Sequence, residues 1–352
     1  MNWSHVRLPA RARRGLLYWV TGVSGEGGRV WSLESAEHAD FAARMLGAGD
    51  LVLIPAGTPD LPALRAKTLT FDGALLATGD VAVVGGARLL RVQDYLSVAF
   101  TPVTGPTAVR VTGPADLGAF LADADLARNS GVFVDQLTHP MVWLGDRCAL
   151  GDGERCGAST LSRLHVTGSG QVHPAPGGAP IGRVSSTMEE LGRGAQLAAV
   201  RGDPCLAGVV SAPMLAAAVA DRPWLGRYLR ALDALRAVRT TSEARFRVSG
   251  FGARLVGGLR PHRMERADEP LVLFTDEDFV VYQPGEDRCL RLGRDDAAIT
   301  ELLVATASPD ASALLATALL GFDRHFAEAA VVEVGNRCAG AGIRLPHLEG
   351  VR

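Results

Sequence analysis

The sequence predicts an α+β protein of more than one domain, and three observations carry that prediction. The chain has 352 residues, beyond the roughly 100–200 of a typical single domain. Its apolar pattern changes period along the chain, from runs of four or five residues bounded by Gly, Pro and Asp to positions repeating at three and four. Charge is distributed unevenly, an Arg-rich stretch at 236–266 preceding an acidic C-terminal segment. The expected divisions are an N-terminal α/β domain over 1–105, a middle domain over 106–238, a basic linker over 239–267 and a C-terminal domain over 268–352.

The N-terminal elements follow from short apolar runs. Residues 16–20 and 51–54 have strand length, and between them residues 35–47 carry Ala39, Ala42, Ala43 and Leu46 at helical spacing. Further strands are expected at 68–71, 81–84 and 89–92. The Gly-rich segment 21–28 raises the question of a phosphate loop. It lacks the Gly-Lys-Ser/Thr ending of a P-loop and a Gly-x-Gly-x-x-Gly opening a helix, and Val30 and Trp31 continue as a strand, so a hairpin turn is the expectation.

The middle region holds Cys148, then Cys156, a strand through His165, a glycine turn at 168–170, a second strand ending at His173, and Ile181-Gly182-Arg183-Val184. Cys148, Cys156, His173 and Cys205 form a chemically acceptable set of soft ligands for tetrahedral zinc or for a cluster with an open corner. None lies in the short Cys-x2-4-Cys hairpin that pre-forms most structural zinc sites. The simpler reading makes Cys156 and Cys205 small buried apolar residues and His165 a hydrogen-bonded strand residue, and no cofactor is expected. An alanine-rich helix follows at 215–220, and a helix over 224–238 presents Leu225, Leu229, Leu232 and Leu235 on one face as core. The stretch 236–266 sets eight arginines against Glu243 and Glu265, as a solvated linker or a docking strip for an acidic surface.

In the C-terminal domain, runs at 271–275, 279–282 and 288–292 are separated by Asp276-Glu277-Asp278 and Pro284-Gly285-Glu286-Asp287, the signature of three strands joined by tight turns. Asp295 and Asp296 open a helix through Ile299, Leu302, Leu303 and Thr306. Ser308-Pro309-Asp310 starts a second, which Gly321 stops, and residues 327–338 form a third with Val331, Val334 and Cys338 on one face. The order is that of a small winged-helix-like domain.

This order, over about 268–345, resembles the RiPP recognition element, which binds leader peptides during biosynthesis of ribosomally made, post-translationally modified peptides. In that family the leader pairs with the exposed edge of the third strand and packs against the third helix. The resemblance implies an edge at Arg288, Cys289, Leu290, Arg291 and Leu292, and a helix wall of Ala330, Val331, Val334 and Arg337. An unpaired edge has the chemistry for this, since it offers a row of backbone donors and acceptors. A DNA-reading winged helix is the rival. From 268 to the end there are seven arginines against fifteen acidic residues, a balance of −8, opposite in sign to what phosphate neutralisation needs.

The cadence of the middle region resembles the SPASM or twitch extension of radical SAM peptide-modifying enzymes, whose cysteines hold auxiliary iron-sulfur clusters. It departs where His173 stands in place of the second expected cysteine, and no Cys-x3-Cys-x2-Cys occurs in the chain, which excludes an active radical SAM enzyme and makes this a degenerate SPASM/twitch-like domain. A recognition element joined to such a remnant is similar to the recognition proteins of daptide biosynthesis, where separate enzymes perform oxidative decarboxylation, transamination and N-methylation. The resemblance implies a protein without chemistry of its own, whose partners are a ribosomal precursor leader peptide and peptide-modifying enzymes such as an oxidative decarboxylase. The alternatives are a metal-binding or accessory enzyme subunit of that complex and a winged-helix regulator.

Composition bounds the rest. Net charge is −2, so no global field steers the chain toward nucleic acid or membrane. The N-terminal apolar run is too short for a signal peptide, no stretch reaches the ~18 apolar residues of a membrane span, and five widely spaced cysteines read as thiols of a reducing cytoplasm. No Gly-x-Ser-x-Gly occurs, and His139 beside Pro140 reads as a turn residue rather than a catalytic base.

Overall fold

The computed structural model describes residues 8–23, 28–47, 49–59, 68–86, 88–151, 161–201, 205–242, 244–261 and 263–346. Within them the chain is mixed α+β, with one ten-stranded and one four-stranded sheet. It divides into two compact units, residues 1–121 with 141–223, and residues 122–140 with 224–352. The expected boundary at 105 therefore falls inside one unit. Strands on both sides of it belong to the same sheet, a pairing of distant segments that local pattern does not encode.

In the first unit, α1 (Ala10–Thr21) precedes β1 (Val30–Leu33), α2 (Ala39–Met45), β2 (Leu51–Pro55), β3 (Thr68–Gly73), β4 (Val81–Val84) and β5 (Arg88–Asp94). Then come α3 (Tyr95–Val98), β6 (Thr107–Arg110) and α4 (Pro114–Ser130), which runs on into the second unit and is followed there by α5 (Asp135–Thr138). The first unit resumes with β7 (Val142–Leu144), β8 (Arg163–Val166), β9 (Gln171–His173), β10 (Gly182–Arg183), α6 (Met188–Arg201) and α7 (Ala212–Ala220). The sheet order is β10-β9-β8-β1-β2-β3-β4-β5-β6-β7, with β8, β1, β2 and β3 mutually parallel and β5, β6 and β7 parallel.

Both faces of this sheet are covered at β1 and β8, which are buried at every residue, whereas β3 and β4 carry exposed residues. Period two sorts their side chains. Trp31, Leu33, Val52 and Ile54 pack with Phe41 of α2 and Leu191 of α6, while Val30, Leu51 and Leu53 pack with Leu16, Trp19 and Val20 of α1. Helix α1 touches β1 and also β7, six places away in the sheet order, so the sheet curves around it.

Residues 16–20, expected as a strand, are thus the second half of α1. The run Leu-Leu-Tyr-Trp-Val has no polar face because it is enclosed on several sides, and such a run carries no period to separate helix from strand. Two glycines fix the helix. A Cβ on Gly15 would collide with Leu51, and Gly22, at φ 71°, ends the helix by donating its N–H to Tyr18 O at 2.9 Å. The strands expected near 51–54, 68–71, 81–84 and 89–92 and the helix within 35–47 are present. Residues 24–27 of the Gly-rich segment lie outside the described residues.

The second unit contains α8 (Leu225–Arg239), β11 (Arg247–Val248), β12 (Leu271–Phe274), β13 (Phe279–Gln283), β14 (Arg288–Leu292), α9 (Arg294–Thr306), α10 (Pro309–Leu315) and α11 (Arg324–Gly340), besides α5 and the end of α4. Its antiparallel sheet has the order β11-β12-β13-β14. The turns follow their residue chemistry. Thr275 Oγ1 accepts from the N–H groups of Glu277 and Asp278, and Asp287 at φ 52° closes the next hairpin with its carboxylate accepting from Tyr282 OH at 2.6 Å. Ser308 and Asp323 cap α10 and α11 through their side chains.

The expected basic linker is folded. β11 extends the sheet, and Arg254 and Arg263 pair with Glu265 and Glu269. Arg227 of α8, 3% exposed, joins Glu265 at 2.7 Å, and Leu225, Leu229, Leu232 and Leu235 are buried beside it. The arginines of 236–266 find part of their acidic surface within the same unit. Glu301 of α9 ties the segment down further, its carboxylate accepting from Ser249 Oγ and from the N–H groups of Leu255 and Val256.

Candidate functional site

β14 ends its sheet, and no strand among the described residues pairs with its outer side. Antiparallel geometry directs part of a strand's N–H and C=O groups away from its neighbour, so these face outward along β14. Period two divides its side chains. Leu290 and Leu292 are half-buried against the core, whereas Cys289 and Arg291 are exposed on the opposite face. Desolvation, helped by the Asp287 charge, holds the Cys289 thiol above its ordinary value.

The start of β14 lies against the exit of the last helix: Arg288 lies over Gly342, where a Cβ would collide with its guanidinium, and Arg344 pairs with Glu286 in the turn before the strand at 2.6 Å, while Arg337 of α11 pairs with Asp296 in the first turn of α9. Ala330 is half-buried on the same helix. Val331 and Val334 are not wall residues. At 3% and 2% exposure they face inward, packed in one cluster with Val281, Leu302 and Leu303. A helix presents residues three and four apart to the same side, so the core stripe 327, 331, 334, 338 excludes them from the exposed stripe that holds Arg337. The cations along the strand already have partners: Arg291 pairs with Asp278 at 3.0 Å, and Arg288 with Glu286 at 3.0 Å.

The proposed metal ligands are only partly brought together. Cys148 Sγ lies 3.6 Å from Cys205 Sγ, both buried. His173 Nδ1 bonds Gly178 O at 2.8 Å, and its Nε2 is buried with no hydrogen-bond partner among the described residues. Cys156 lies outside them, and within them no group of three or more His, Cys, Asp or Glu side chains is arranged to hold a metal.

Beside the cysteine pair is a buried charge cluster that periodicity does not reveal. Asp146, fully buried just after β7, accepts from Arg110 at 2.8 Å and from Arg163 at 2.6 Å. Burial pushes its carboxyl up, but Arg163 and Arg110 outweigh this and hold it below the ordinary value. With Trp19, Val20, Leu75, Ala108 and Pro176, the two arginines line a cavity of about 10 Å³, room for one water.

A second polar chain runs from Trp19 Nε1 to Ser32 Oγ at 2.7 Å, from Ser32 Oγ to His165 Nδ1 at 2.9 Å, and from His165 Nε2 to Glu34 Oε1 at 3.1 Å. The residue types are those of a hydrolytic triad, but the order of exposure is reversed. Ser32 is 3% exposed and bonded to Trp19, while Glu34 is the end that meets solvent. A nucleophile enclosed in the core meets no substrate, so the chain serves packing. His165 is the hydrogen-bonded strand residue expected.

No protein-family model matches the chain, and no curated protein and no solved structure matches it.

Proposed function

We propose that the protein is a non-catalytic recognition protein that binds the leader of a ribosomal precursor peptide by strand addition at β14 and presents it to peptide-modifying enzymes in a pathway of the daptide type. One observation carries the reading: β14 is an edge strand whose start lies against the exit of α11, within a run of three strands followed by three helices. Under it, residues 268–352 are a winged-helix-like recognition element, and β8, β9 and β10 descend from a SPASM-like arrangement without its cluster. The leader's backbone pairs with the outer edge of Arg288, Cys289, Leu290, Arg291 and Leu292, and its inward side chains lie over Leu290, Leu292 and Ala330. Holding the leader raises the effective concentration of the far end at a partner enzyme such as an oxidative decarboxylase. The absence from the chain of a Cys-x3-Cys-x2-Cys motif and the inverted exposure of the Ser32–His165–Glu34 chain favour delivery over chemistry. The local excess of acidic residues favours a peptide over DNA. The proposed setting is the cytoplasm.

The test is fluorescence polarisation of the full chain with a labelled synthetic leader, in parallel with two versions N-methylated at alternate backbone amides. Strand addition predicts that one methylated series loses binding while the other keeps it, because only alternate amides face the edge. If neither methylated series differs from the parent peptide, or if the parent does not bind at high micromolar protein with the partner enzyme present, the proposal fails.

A further inference from the structure

Cys148 and Cys205 are separated by 57 positions in sequence, yet their sulfurs lie 3.6 Å apart. Cys148 sits in the turn after β7 and Cys205 at the connection from α6 to α7. Beside them lies Arg163, 2% exposed, whose Nε and Nη1 find no hydrogen-bond acceptor among the described residues. A Cβ placed on Gly22 would meet Cys148 Sγ at 2.5 Å and Arg163 Nη1 at 2.6 Å, so thiol and guanidinium abut the same glycine. Among the described residues, Arg110 and Arg163 share the carboxylate of Asp146, two guanidiniums to one anion.

From this geometry we infer that Cys148 and Cys205 are a two-electron redox pair that closes to an intramolecular disulfide when oxidised by hydrogen peroxide. The attacking sulfur is a thiolate, and the Arg163 guanidinium beside the pair supplies the compensating charge and an unused donor. That sulfur displaces hydroxide from the peroxide O–O bond, giving a sulfenic acid and, with a proton, water. The second thiol then attacks the sulfenic sulfur and a second water leaves. Overall the two thiols lose two electrons and two protons, and one peroxide becomes two waters. Burial keeps out bulky oxidants and selects a small neutral one. The sulfurs must close to about 2.05 Å, a short movement of two adjacent turns. The resulting bond joins the margin after β7 to the region beyond β8, β9, β10 and α6, and so fastens the curved sheet around α1.

The experiment exposes the reduced full chain to increasing hydrogen peroxide, quenches with N-ethylmaleimide in denaturant and maps the peptides without reduction. The expected product is a Cys148–Cys205 linked peptide lighter by two hydrogens and reversed by dithiothreitol, with the melting temperature raised by about 5–15 °C. Cys148→Ser and Cys205→Ser should each lose the linked peptide. The mapping of the wild type decides the matter even if these variants fold poorly. Recovery of both cysteines as maleimide adducts, at a peroxide dose that already oxidises the exposed Cys289, overturns the inference. So does a link from either to Cys156, or stoichiometric zinc in the purified protein that Cys148→Ser removes.

Discussion

Val334→Ala separates the core of the C-terminal unit from its candidate binding edge. Val334 is 2% exposed and packs in one cluster with Val331, Leu302, Leu303 and Val281. Truncation removes two buried carbons, about 0.8 kcal/mol each in transfer. The space left behind adds roughly another 1 kcal/mol if the neighbours relax little, for a total of about 2–3 kcal/mol. Arg337→Ala, three residues along the helix, breaks a pair with Asp296 whose side chains are 49% and 29% exposed, and costs no more than about 1 kcal/mol. Amide exchange of the full chain in rising urea, read by mass spectrometry over residues 271–345, measures both in the unit they belong to. Leader affinity at a temperature where each variant stays folded should be unchanged by Val334→Ala. A Val334→Ala variant within about 0.5 kcal/mol of wild type, or one that stays fully folded and loses leader affinity, would refute the assignment of Val334 to the core.

Three further outcomes are expected. Asp146→Asn leaves the buried Arg110 and Arg163 guanidiniums without their shared anion and should destabilise the first unit by about 3–5 kcal/mol in urea unfolding; a change below about 1 kcal/mol would refute this. Glu301→Gln presents an amide to three donors, so at least one of the Leu255 and Val256 N–H groups or Ser249 Oγ loses its acceptor. A loss of about 1–3 kcal/mol with faster exchange at 255 and 256 is expected, and unchanged exchange there would count against the role of Glu301. Burial holds the His165 imidazole below its ordinary 6.5 despite the Glu34 bond, and the His165 bond holds Glu34 below its ordinary 4.5. Both groups bind fewer protons folded than unfolded, so their contribution is full above pH 6.5 and declines as pH falls, the carboxyl's share going below 4.5. The melting temperature should drop as pH falls below about 6.5, less steeply in His165→Asn; parallel slopes would exclude His165 as a source.

The C-terminal elements were legible in the sequence because each is locally punctuated. Asp276–Asp278 and the turn at 284–287 bound β13, Ser308 is the side-chain cap of α10, and Gly321, at φ 74°, ends the π-helical turn Ala316–Leu320 that continues it; the cap of α11 at Asp323, ahead of the start expected at 327, was not legible. Helix α8 was legible from its leucines, although Arg227, buried among them, was not, since its partner Glu265 lies in a different segment. The N-terminal half defeated local reading in the second half of α1, where enclosure of residues 16–20 left no polar face to mark a helix. Period three to four also placed Val331 and Val334 on one face of α11 without telling which side that face meets. The pairing of Val30 with Arg163, which makes the first unit a single sheet, is a relation between distant segments. The same holds for the meeting of Cys148 with Cys205 and of Ser32 with His165.

Residues 122–140 belong to a unit whose other members begin only at 224. Phe133 stacks on Tyr228 with ring centroids 5.9 Å apart and meets Phe251 at 5.4 Å, and Gly252 N–H donates to Arg128 O at 3.0 Å. On the ribosome, Phe133 emerges roughly a hundred residues ahead of these partners, a wait of about 5–20 s at ordinary elongation rates. Throughout that interval Phe133 lacks both rings it packs against, and a product ending before 224 never acquires them, so this segment completes its packing only after the first unit has been synthesised.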